Sequence, residues 1–132
     1  MKRLNPALCV IVLASTPLLA HHSFAAEYDR GKPFTVQGTV TKVEWMNPHA
    51  YFYLDVKDEE TGKVTNWAFE LGNLSTLMRG GWRKTTMKVG DVVKVDAFRA
   101  KDGSHLGNGR SVVMADGTKI FAGSSAGEYA GN

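Results

Sequence analysis

The sequence predicts an all-β domain with one short helix, a small OB-like Greek-key β-barrel behind a signal peptide. Three observations lead there. Residues 50–57 alternate strictly, with Ala50, Phe52, Leu54 and Val56 on one side and Tyr51, Tyr53, Asp55 and Lys57 on the other. Short β-rich runs are separated by Gly, Asp, Asn and Pro. The first run changes phase: Val36, Gly38 and Val40 share one side, Val43 and Trp45 the other, which marks a bulge and a sharp bend. The 132 residues, 43% hydrophobic and 22% charged, suit one domain and exclude a TIM barrel or a full dinucleotide-binding fold.

Residues 1–20 read as a secretory signal peptide. Lys2 and Arg3 form the basic start, Ala7–Ala14 an apolar stretch too short to span a bilayer, and Pro17 breaks the helix before Ala20. Cleavage after Ala20 makes His21 the new terminus; a competing site after Ala25 removes His21 and His22. Loss of Lys2 and Arg3 takes the basic residues from 16 to 14 against 13 acidic ones, and the single Cys9 goes too. The mature chain is then nearly neutral, without a thiol, and is expected in the periplasm or secreted.

Residues 21–33 lack periodicity and read as an extended N-terminal arm. The barrel is expected over residues 34–122. Its first strand ends at Asn47-Pro48. The polar loop Asp58–Lys63 returns into a strand with Trp67, Phe69 and Leu71 on one face and Asn66, Ala68 and Glu70 on the other. Asn73 caps a short helix through Arg79, stopped by Gly80-Gly81. Val92–Phe98 is the next strand, and Lys101–Gly109 a loop. Arg110–Ala115 and Thr118–Phe121 flank an Asp116-Gly117 turn. Residues 123–132 read as a disordered tail.

These residues carry a resemblance. His21-His22-Ser23-Phe24, Glu27-Tyr28-Asp29, Gly38-Thr39-Val40, Glu44–Ala50 with its Asn47-Pro48-His49, and Asn66-Trp67 together look like a bacterial family of small exported proteins of unknown function. The resemblance implies a periplasmic β-barrel and brings no reaction, substrate or cofactor.

Chemistry centres on the four histidines. In a thiol-free exported chain, imidazole is the strongest transition-metal ligand left. At a mature terminus His21 offers its amine and its ring to one ion. A further imidazole completes a nitrogen set suited to Cu(II), ahead of zinc. His22 gives a second chelate, and His49, aimed by Pro48, is the internal partner. The hairpin register sets Tyr51 opposite Glu70, which then lies diagonally near His49 and can orient it or act as an oxygen ligand. Against this stand the absence of HxxxH and CxxC spacings and the plain alternative of a solvated arm. His105 sits in the Gly-rich loop.

The second constellation is aromatic. Tyr51 and Tyr53 point outward, with Trp45 or Trp82 at the rim, a platform for a small ligand, a glycan or a protein partner. Nucleic acid is disfavoured, because a net charge near +1 provides no continuous basic groove. Catalysis has least support: Ser23, His22 and Asp29 are too close in sequence for an oriented triad, and a small copper oxidase on His21 is the minor alternative. The expectation is a non-enzymatic periplasmic binding module, copper-binding through His21, His22, His49 and Glu70. The alternative is a metal-free barrel binding through Tyr51, Tyr53 and Trp45.

Overall fold

The computed structural model describes residues 24–123; the expected leader, His21, His22 and the tail from Ser124 onward lie outside them. The elements are α1 (Phe24–Glu27), β1 (Tyr28–Glu44), β2 (Tyr51–Lys57), β3 (Val64–Glu70), α2 (Leu74–Arg79), β4 (Val92–Ala100), β5 (Leu106–Val113) and β6 (Lys119–Phe121). The protein is all-β, with two short helices where the sequence predicts one. No helix among the described residues is long and apolar enough to cross a membrane.

The strands form one six-stranded sheet in the order β3-β2-β1-β4-β5-β6, antiparallel between neighbours. β3 also pairs with β5 in parallel, from Ala68–Leu106 to Glu70–Asn108. β1 organises this sheet: residues 28–39 pair with β4 and residues 39–44 with β2. The register between β1 and β2 slips between Val40 and Lys42. That slip is the bulge the phase change predicts, and one extra residue turns Val43 toward the core after Val40. Gly38 is required nearby, because a Cβ there would stand 2.5 Å from the Asp55 carbonyl oxygen.

The alternating positions meet inside as expected. Phe52, Leu54, Phe69, Val95 and Val112 have no exposed surface. Phe52 and Phe69 stack at 5.2 Å between ring centres. The Asn73 side chain accepts the Thr76 N–H at 2.8 Å, and α2 ends at Gly80. Leu77 from α2, then Trp82 and Met87, join the same core. Trp82 is therefore a core residue and not a rim residue: it is 2% exposed, and its indole N–H donates to the Phe121 carbonyl at 2.8 Å.

Two boundaries differ most from the sequence reading. Residues 28–33 of the expected arm belong to β1, which begins at Tyr28 rather than Phe34. Its pairing with β4 jumps between Asp29 and Pro33, so the irregular stretch hides the alternation. Leu106–Gly109, expected in a loop, open β5. Gly107 is there because space is short: a Cβ would lie 3.0 Å from both the Phe34 and Phe69 rings. Glycine marks crowding here, where the sequence suggests a turn.

Candidate functional site

The site grows from the β2–β3 hairpin. Tyr51 pairs with Glu70 as the register predicts, and the pairing runs on through Leu71 N–H to the Ala50 carbonyl at 2.8 Å. His49, just before Ala50, is thereby brought over the end of β3. Its Nδ1 lies 3.2 Å from the Leu71 carbonyl oxygen and 3.6 Å from Glu70 Oε1. A carbonyl oxygen only accepts, so Nδ1 carries the proton, and the lone pair of the neutral ring is on Nε2. The His49 side chain is 34% exposed and that of Glu70 only 7%.

The N-terminal segment completes this cluster. Phe24 stacks on Tyr28 at 5.6 Å and meets Phe98 edge-on at the same distance. Together with Ala100, Phe24 and Tyr28 form a second small core, flanked by Phe98 and Leu106. The Lys101 backbone N–H donates to the Glu27 carbonyl at 2.8 Å and its ammonium to that of Ala25 at 2.5 Å. So seated, Tyr28 donates its hydroxyl to Glu70 Oε2 at 2.7 Å, and Tyr51 donates to the same oxygen at 3.0 Å. Glu70 is on the outward face of β3 by alternation, yet it is buried, with the Tyr28 hydroxyl of the N-terminal segment set on its carboxylate.

Both phenols are held protonated. Burial above all, then the adjacent Glu70 carboxylate, pushes Tyr28 and Tyr51 above the usual tyrosine range. A folded-state pKa above the unfolded value near 10 means folding retains protons that the unfolded chain loses. Stability from this pair is therefore complete below about pH 10 and is lost as pH rises further. A urea series from neutral to strongly alkaline pH should show the midpoint falling only above about pH 10, and less steeply in Tyr28→Phe. An equal alkaline fall in Tyr28→Phe contradicts that origin.

An open cavity of about 530 Å³ adjoins the cluster, lined by Tyr28, Tyr51, Glu70, Lys101, Asp102 and Leu106 with Ala26, Glu27 and Ala100. Of the expected aromatic platform, only Tyr51 lines it. Tyr53 donates instead to Glu44 at 2.9 Å beneath the Lys42 ammonium, and Lys42 pairs with Glu44. Trp45 packs half-buried against the main core. The His105 ring lies 4.9 Å from that of Trp67. Of the expected metal set, His49 and Glu70 come together, while His21 and His22 lie outside the described residues. Among the described residues, no three His, Cys, Asp or Glu side chains gather as a metal site.

Sequence reasoning missed Tyr28, Lys101 and Asp102. A signal for the first was present: Phe24 and Tyr28 are four apart, the spacing that stacks side chains on one helical turn. The model of a family of unknown function (DUF6152) matches residues 9–110. The chain belongs to that family. The match to DUF6152 spans β1 through β4, most of β5 and every residue lining the cavity. No curated protein and no solved structure matches the chain.

Proposed function

We propose that this protein is an exported, non-enzymatic binding module that captures Cu(II) through His21 at its mature terminus, with His49 as the ligand from the folded body. The observation that carries this reading is the hydrogen bond from His49 Nδ1 to the Leu71 carbonyl at 3.2 Å. It selects the tautomer that leaves the Nε2 lone pair as a metal donor and fixes the ring, the usual arrangement behind a ligating histidine. Glu70, gripped by two phenols, reinforces the same edge of the ring from 3.6 Å. The docking of Phe24 and Tyr28 supports the reading further, since His22 is only two residues upstream of Phe24. An amine and two imidazoles suit tetragonal Cu(II).

The body that presents His49 is, in this reading, an OB-like barrel. Its support is the circuit of pairings β1–β2–β3–β5–β4–β1, which returns to its start with α2 between β3 and β4. The basic, apolar and small-residue pattern of residues 1–20 supports export to the periplasm.

The test is a Cu(II) titration of the exported protein with its native terminus, followed by EPR. Nitrogen hyperfine structure is expected and should vanish in His21→Ala and in a form carrying one extra N-terminal Met. His49→Ala should lose one nitrogen coupling, and Glu70→Gln should weaken binding about tenfold or more. A terminus at Ala26, or equal binding by the Met-extended form, overturns the proposal.

A further inference from the structure

We propose that the cavity beside Glu70 binds a small organic cation, a protonated primary amine carried on an apolar or aromatic body. The inference stands apart from the copper reading: Oε2 of Glu70 faces the cavity's two tyrosines, whereas Oε1 faces His49.

Hydrogen-bond polarity decides the ligand's chemistry. Tyr28 and Tyr51 each have a single hydroxyl proton, and both protons are committed to Glu70 Oε2. Their oxygens therefore have only lone pairs left to offer a ligand. Glu70 adds a carboxylate whose side chain is 7% exposed, and the more exposed Glu27 and Asp102 add two more. The Ser104 N–H and hydroxyl both donate to Asp102 and hold its carboxyl below the usual carboxylate range, so it is charged at neutral pH. Lys101 is the sole cation of the lining, and its ammonium is turned onto the Ala25 carbonyl. The polar wall thus accepts and carries negative charge; its complement is a donor with positive charge.

The remaining wall sets the ligand's shape. Ala26, Ala100 and Leu106 are apolar, and the Tyr28 and Tyr51 rings add aromatic surface suited to a hydrocarbon or aryl body beside an ammonium. About 530 Å³ falls within the range of small-molecule pockets. A bare metal ion fits poorly, because no three of the acidic groups converge among the described residues.

The test titrates the processed, metal-free protein with 2-phenylethylamine hydrochloride, using 2-phenylethanol as the neutral isostere, followed by amide NMR shifts. Shifts are expected at Ala26, Tyr51, Lys101 and Leu106, with the amine binding about tenfold tighter than the alcohol or better. Asp102→Asn, on the exposed side, and Glu70→Gln, which keeps an acceptor for the phenols, should each weaken the amine and not the alcohol. His21→Ala should leave amine binding unchanged, so this proposal fails or stands independently of copper. Equal affinity for amine and alcohol, shifts elsewhere, or no shifts at millimolar amine overturns it.

Discussion

Replacing Glu70 with alanine is expected to cost about 3 kcal/mol or more, since two hydrogen bonds to a charged acceptor are each worth roughly 1.5–3 kcal/mol. A domain holds only about 5–15 kcal/mol in total, so the loss is a large fraction of its stability. The Tyr28 hydroxyl loses its partner inside a residue that is 2% exposed, and Tyr51 loses its own. Relief of the buried charge offsets part of the cost. The damage should be polarised: hydrogen exchange at Lys101, whose N–H is held by the Glu27 carbonyl, should quicken more than exchange at Phe69 in the core. A double-mutant cycle isolates the contact. Tyr28→Phe alone should cost about 1–2 kcal/mol, and close to nothing once Glu70 is alanine. Additive costs in the denaturant midpoints refute the coupling.

Trp82→Ala should be at least as costly, about 3–5 kcal/mol for a buried large-to-small change. Trp82 is tied at three points: its side chain sits in the main core, its N–H donates to the Leu77 carbonyl at 3.0 Å, and its indole donates to Phe121 in β6. The substitution opens a void and leaves a carbonyl of a three-residue strand without its donor. Trp82→Phe refills most of the volume and should recover more than half of the loss, separating packing from the hydrogen bond. Thermal unfolding of the three proteins checks this. A midpoint for Trp82→Ala within a degree or two of the parent excludes the assigned core role.

Much of the fold was legible because it is encoded locally. The alternation of Phe52 and Leu54 against Tyr51 and Tyr53 reappears as buried and half-buried positions. The phase change from Val40 to Val43 becomes the slip against β2, and Asn73 caps α2 as its side chain suggests. The Tyr51–Glu70 pairing followed from counting residues along the hairpin. Where crowding replaced turn-making as the reason for a glycine, as at Gly107, the local signal misled. Trp82 misled likewise, because an isolated Trp after a Gly-Gly pair carries no periodicity to mark which way it faces.

The N-terminal segment draws the line between the two levels. By itself the sequence determined the succession of strands along the chain, the bulge, the helix cap and the Tyr51–Glu70 register, since each depends on neighbours a few residues apart or on period-two counting. It also singled out His49 and Glu70 as a pair. Only the tertiary structure decided that Phe24 and Tyr28 dock against Phe98, Ala100 and Leu106, some seventy residues away. That docking sets the Tyr28 hydroxyl on an outward-facing glutamate and walls one side of the open cavity beside it. The physical reason is that alternation assigns a side chain to a face of the sheet, whereas burial depends on what else in the chain comes to cover that face.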